Sequence, residues 1–220
     1  MGSDKIHHHH HHMKITWFGH ACFALEMEGK TIVTDPFDES VGYPIPNVTA
    51  DVVTESHQHF DHNAHHLVKG NFRVIDRPGA YTVNGVKIKG VETFHDPSHG
   101  RERGKNIVFV FEGEGIKVCH LGDLGHVLTP AQVEEIGEID VLLVPVGGTY
   151  TIGPKEAKEV ADLLNAKVII PMHYKTKYLK FNLLPVDDFL KLFDSYERVG
   201  NILELFEKPK ERKVVVMEVQ

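Results

Sequence analysis

Apolar and polar positions alternate along the first part of the chain, and the period then changes. KITWF and CFALEM have strand character, Glu28-Gly29 forms a tight turn, and KTIVTDP runs back from it. DVVTES, at 51–56, is a strand that ends in a cluster of histidines. From Asp61 the segment DHNAHHLVKG is predicted to form a short helix that stops at Gly70. AYTV and VKIKGVETF flank Asn84-Gly85, a strong two-residue hairpin signal. GKNIVFVFEGEGIKVCHLGD is another strand pair around a glycine-rich turn.

Helical spacing then takes over. TPAQVEEIGEI is predicted to be a helix with Thr129 as its N-cap and Pro130 at its first position. PKEAKEVADLLNA is amphipathic with a 3.6-residue period. DVLLVPV and KVIIPMHY on either side of it are continuous apolar runs, as in strands covered on both faces. A strand–helix–strand unit of this kind makes part of the sheet parallel. LPVDDFLKLF is expected to form a last helix and KVVVMEV a last strand. Hairpins joined to helical crossovers give an α/β class with mixed sheets, layered between helices in one domain.

Composition narrows the reading. MGSDKIHHHHHH, residues 1–12, is an expression tag, so the domain is taken as 13–220 and six of the 17 histidines belong to the tag. A hydrophobic share of 41% and a charged share of 25% are ordinary for a globular chain. No apolar run approaches the ~18 residues of a membrane span, and MKITWFGHACF lacks a signal-peptide cleavage pattern. Cys22 and Cys119 sit in strand-like settings and read as buried thiols, so a reducing cytoplasm is the expected compartment. The net charge of −7 argues against a nucleic-acid partner.

The chemistry is concentrated in ESHQHFDHNAHH, residues 55–66. His57 and His59 are two apart, so both can face one side where a strand opens into a loop. Asp61 and His62 can aim at a second point. Imidazole and carboxylate suit Zn, Mn, Fe or Ni, and no cysteine here adds a thiolate preference. Zinc takes about four ligands, so further ligands have to come from other strand ends. His95, Asp123 and His173 each stand at a junction between strand and loop. His99 is a rival to His95 in HDPSHG.

Taken with WFGHACF, TDP, SHQHFDH, HLGD, PVGGTYTIGP and IPMHY, this arrangement resembles the metallo-β-lactamase fold superfamily from about Lys14 to Tyr174. The branch it resembles includes ascorbate-6-phosphate lactonase and N-acylphosphatidylethanolamine phospholipase D. The resemblance implies a four-layer αβ/βα sandwich with two divalent metal ions at one edge, zinc first, with Mn, Fe or Ni as alternatives. His57, His59 and His95 would hold one ion, Asp61, His62 and His173 the other, and Asp123 would bridge them. Asp35 would orient a ligand histidine.

The function that follows is metal-dependent hydrolysis, with a hydroxide shared by two ions attacking an ester, lactone or phosphodiester bond of a small molecule, in one version an anionic one. Asp61 and Asp123 would be catalytic, and His126 or His99 would protonate the leaving group. A nuclease acting on RNA or DNA ends would use the same ions, and a binding module without turnover would use the same ligands. A redox di-iron use would need a flavin or persulfide partner. His20 is either a structural histidine or part of the site. His65 and His66 are expected to face solvent, and His120 to be packed. Arg101, Arg103 and Lys105 form a solvated turn or an anion-binding loop. Tyr150 and Tyr174 are candidate pocket walls.

Overall fold

Period-2 segments become strands, and alternation decides which sheet face each residue joins. The structure is a computed structural model that describes residues 12–220; the proposed tag, apart from His12, lies outside the described residues. The strands are β1 (Met13–Gly19), β2 (Cys22–Met27), β3 (Lys30–Thr34), β4 (Val52–Thr54), β5 (Arg73–Ile75), β6 (Gly79–Val83), β7 (Val86–Phe94), β8 (Lys105–Gly113), β9 (Ile116–His120), β10 (Val141–Pro145), β11 (Val168–Met172), β12 (Glu197–Arg198), β13 (Ile202–Leu205) and β14 (Lys213–Val216). The helices are α1 (Pro130–Ile136), α2 (Pro154–Leu163) and α3 (Asp187–Leu190).

The strands form two mixed sheets. One runs β13-β1-β2-β3-β4-β5 and the other β12-β14-β11-β10-β9-β8-β7-β6. Phe23, Leu25, Ile32 and Val52 point from the first sheet into a buried cluster shared with the second. Their neighbours Cys22, Ala24, Val33 and Val53 point the other way, under Phe37, Val41, Tyr43, Leu179 and Leu183. The outer layer on that face is therefore made by loops 36–50 and 174–183. On the other side α1 and α2 cover the eight-stranded sheet, completing the sandwich. β10 and β11 pair in parallel in register Val141↔Val168 through Pro145↔Met172, and both are buried along their whole length. A fully buried Val, Leu or Ile contributes roughly 1.5–3 kcal/mol, so these two strands anchor the sheet. Cys22 and Cys119 are free and buried.

The Asn84-Gly85 hairpin forms in the expected register, Val83↔Val86. Thr129 caps α1 with a full capping box and Pro130 follows it. Two helical expectations fail. The segment from Asp61 is loop apart from one 3-10 turn, His65–Leu67, because its amides bond to His59 and Pro36 carbonyls instead of continuing a helix. LPVDDFLKLF yields only Asp187–Leu190, after which Leu192 and Phe193 bond three residues back and tighten the chain into turns. The pairings β3–β4 and β4–β5 are also parallel, which the local pattern did not reveal. No helix among the described residues is long and apolar enough to cross a membrane.

Candidate metal centre

Six strand ends meet at one rim. His20 follows β1, Asp35 follows β3, the loop with His57–His62 follows β4, His95 follows β7, Asp123 lies just beyond β9, and His173 follows β11. Both sheets contribute, so strand pairing sets the positions of side chains that are far apart in sequence.

Asp123 stands in the middle, buried. Its Oδ2 lies 3.3 Å from His57 Nε2 and 3.0 Å from His95 Nε2. Its Oδ1 lies 3.1 Å from His62 Nε2 and 3.0 Å from His173 Nε2. One carboxylate thus turns each oxygen toward a different pair of imidazoles. His57, His59 and His95 offer nitrogens within 4.8 Å of one another, and His20, Asp61, His62 and His173 offer ligand atoms equally close. Of the residues singled out from the sequence, His57, His59, Asp61, His62, His95, Asp123 and His173 are brought together here. His99 is not: it is exposed on its loop, with its ring 5.6 Å from that of Phe94.

Several of these atoms have no protein partner. His57 Nε2, His62 Nε2, His173 Nε2 and Asp123 Oδ1 are buried without a hydrogen bond. Buried polar atoms left unpaired are costly, and cations accepting these lone pairs would remove that cost. The donor set, imidazole and carboxylate without thiolate, fits divalent metals. Burial opposes the charge on Asp123, yet the imidazoles of His173, His62 and His57 outweigh it and hold the carboxyl well below the usual range.

The far ring nitrogens explain the orientation. His62 Nδ1–H donates to Asp35 Oδ2 at 2.8 Å. Asp35 also accepts from the Ser56 amide at 2.7 Å and from Ser56 Oγ at 2.6 Å. That hydroxyl in turn accepts from His57 Nδ1 at 2.9 Å. Both rings are left with Nε2 lone pairs facing Asp123, as ligand histidines require. Asn106 is a further support: its Oδ1 accepts from the Asp123 amide at 2.9 Å while its Nδ2 donates to Thr93 Oγ1 and the Leu121 carbonyl. Gly125 has to be glycine, because a Cβ there would lie 2.2 Å from the backbone of His95 and Asp96. Ser56 lies inside SHQHFDH but its role there shows only in its bonds, and Asn106 and Gly125 carry no motif signal of their own; the pairing of distant strands exposes all three.

The undecided histidines separate. His20 Nε2–H donates to Asp61 Oδ2 at 2.9 Å, and the His20 ring stacks on His173 at 3.9 Å. Burial, with His173 reinforcing it, pushes the His20 imidazole down to about 4, while Asp61 pulls the other way. His120 is packed, donating to the Ala21 carbonyl and accepting from the Gly122 amide. His126 has both nitrogens engaged: Nδ1–H reaches the Val127 carbonyl at 2.9 Å, and Nε2 accepts from the Phe94 amide at 3.1 Å. His66 is exposed, whereas His65 is half-buried and bonded to Glu55 at 2.8 Å. Tyr174 is buried against Trp17, and Tyr150 lines the cavity over the cluster.

The chain is similar to known proteins over nearly its whole length. It is 30% identical to a UPF0173 metal-dependent hydrolase of Anoxybacillus flavithermus, covering 89% of this chain and 100% of that one. It is 32% identical to a UPF0173 metal-dependent hydrolase of Thermococcus onnurineus, covering 74% and 85%. A crystal structure from Thermotoga maritima, provisionally described as a Zn-dependent hydrolase of the metallo-beta-lactamase superfamily, superposes with a TM-score of 0.85 at 92% identity, covering 94% of this chain and 100% of that one. The model of the beta-lactamase superfamily domain matches residues 14–173, the span that carries every residue of the cluster. The chain belongs to the beta-lactamase superfamily and, within it, to the metal-dependent hydrolases.

Proposed function

We propose that this chain hydrolyses an ester, lactone or phosphodiester bond of a small molecule, using two divalent ions held on either side of Asp123. The observation that carries the reading is the split of the Asp123 carboxylate, Oδ2 toward His57 and His95 and Oδ1 toward His62 and His173. His57, His59 and His95 would hold one ion, and Asp61, His62 and His173 would hold the other, with an Asp123 oxygen available to each. Zinc is the first choice for these donors, and Mn, Fe or Ni are served by the same set. When bound, such a pair lowers the pKa of a water toward neutrality and polarises the oxygen of the bond to be broken.

The chain's own groups arrange that chemistry. Asp61 lines the cavity and is fixed by His20, so its carboxylate can orient the attacking water and take its proton. Asp35 and Ser56 hold His62 and His57 in the tautomer that leaves Nε2 free. His126 borders a neighbouring cavity, and a proton given from it to the leaving group requires release of the Val127 carbonyl. Phe60 and Phe181 give the cavity an apolar wall beside these groups.

The test is elemental analysis of tag-free protein together with a substrate panel of p-nitrophenyl esters, lactones and bis-p-nitrophenyl phosphate. The expected result is about two ions per chain and turnover that is lost on chelation and in Asp61→Asn. Turnover that survives removal of the ions, or none on any substrate with the ions in place, defeats the hydrolase reading. A firm stoichiometry of one ion defeats the shared carboxylate.

A further inference from the structure

A cavity of about 530 Å³ opens over the cluster, with His59, Asp61, His95 and Asp123 among its lining residues. That volume suits a small organic molecule. Its walls are aromatic. The rings of Phe60 and Phe181 meet edge to face at 5.9 Å, and Tyr150 stands 6.4 Å from Phe181. Beside it lies a second cavity of about 420 Å³, and Arg103 and Tyr150 line both. The Arg103 guanidinium sits 5.7 Å from the centre of the Tyr150 ring. Among the described residues no carboxylate lies within 4.0 Å of that guanidinium, and no hydrogen bond takes its donors. Glu102 lines the same cavity, but its Oε2 accepts from Ser98 Oγ at 3.4 Å.

The placement of Arg103 is built in. Asp96, buried directly after His95, accepts from the amides of Ser98 (2.8 Å), Gly100 (2.8 Å), Glu102 (3.0 Å) and Arg103 (2.7 Å). One buried carboxylate thus winds the whole loop onto the strand end that supplies His95. A loop tied down by four amides fixes the backbone from which the Arg103 side chain reaches the cavity, so that part of the ordering cost does not fall on binding. A guanidinium placed over an aromatic ring, with its N–H fork uncommitted, is a receptor for an oxyanion.

We infer that Arg103 is the specificity-determining residue for a substrate that carries an oxyanion, carboxylate or phosphate, joined to an apolar or aromatic body. The oxyanion lies on Arg103 against Tyr150. The apolar body lies against the edge-to-face pair of Phe60 and Phe181, and the bond to be cleaved lies over His59, Asp61, His95 and Asp123. The inference rests on the hydrolase reading of the same site, yet its test is a binding measurement that needs no turnover.

Metal-loaded, tag-free protein is titrated calorimetrically with phenylacetate, benzylphosphonate and the neutral isostere phenylacetamide. Arg103→Gln is expected to weaken the favoured anion by about tenfold or more and to leave phenylacetamide unchanged. Phe181→Ala is expected to weaken all three, by roughly threefold to tenfold. Which anion loses more on Arg103→Gln decides between carboxylate and phosphate. Equal anion affinity in Arg103→Gln and the parent protein overturns the inference, since the anion then sits on the ions alone. So does a parent protein that binds neither anion, or binds them no better than phenylacetamide. Failure of the substrate panel with anion binding intact would instead count against hydrolysis.

Discussion

The two flanks of Asp123 are built to different specifications. On the flank of His62 and His173 every imidazole is buried, and the backbone is bent into the left-handed region at His20 (φ 54°), Asp35 (φ 40°) and His173 (φ 56°). Such conformations in non-glycine residues cost of order 1–3 kcal/mol each, so packing and hydrogen bonds must hold them. Asp35 grips His62 directly, and His20 grips Asp61. On the other flank His59 is exposed and faces the cavity, and His57 is held only through the hydroxyl of Ser56. One side is a rigid cradle made mainly of protein bonds, reaching the cavity only through Asp61, and the other is the more open to it, through the exposed His59. The lesson is a division of labour: the buried flank should bind its ion more tightly, and the open flank should exchange its ion more readily.

Removing what the two flanks share has the largest expected effect. In Asp123→Asn one carboxylate oxygen becomes an amide that presents hydrogens to imidazole lone pairs. That flank then loses the charged oxygen a cation needs, and the amide hydrogens occupy the imidazole lone pairs that would bind it. Metal retention should fall from about two ions to one or fewer, and turnover should drop by at least about a hundredfold, the upper end of what loss of a ligand's supporting partner alone produces. Elemental analysis and the substrate panel check both parts. Two ions retained at parental affinity would show that Asp123 does not join the flanks.

Asp35→Asn comes next. Asparagine tolerates the left-handed backbone found there, so the fold should survive. Its single acceptor oxygen cannot serve the Ser56 amide, Ser56 Oγ and His62 Nδ1 together. Metal affinity should weaken about 10- to 100-fold, mainly on the buried flank. Graded chelation followed by metal counting resolves the two ions. Release of both in parallel would contradict the asymmetry.

These supports also mark how far the sequence could be read. The hairpin at Asn84-Gly85 and the cap at Thr129-Pro130 are local devices, encoded within a few residues and realised as read. The continuous apolar runs at 141–145 and 168–172 report burial on both faces, and those strands do pair in parallel. The ligand-type residues were legible because strand ends can be located from pattern alone. The loop after β4 misled the helical reading, since its amides bond to His59 and Pro36 so that His57 to His62 can turn inward. β13 was invisible because Ile202–Leu205 is a short edge strand whose partner, β1, lies at the other end of the chain. Ser56, Asn106 and His20 matter through bonds to residues 21, 17 and 41 positions away. No local pattern encodes such distances, and only β-pairing between remote segments creates them.

The smallest expected effect is also the most selective. Ser56→Ala removes one hydroxyl that lies between Asp35 and His57. Asp35 keeps its bond to His62 and still accepts from the residue 56 amide. His57 alone loses the acceptor for its Nδ1–H, and a buried donor left unpaired costs about 1–3 kcal/mol. Part of that cost is recovered if the ring turns toward the neighbouring cavity at Ser56. The ion on the His57 side should therefore loosen by only about fivefold, roughly 1 kcal/mol, while the ion on the His62 side keeps its parental release rate. Stopped-flow chelation, which reads the two release phases separately, decides it. Acceleration of the slow phase to the same degree would mean that Ser56 serves both flanks equally, and that the buried cradle is no more self-sufficient than the side facing the cavity.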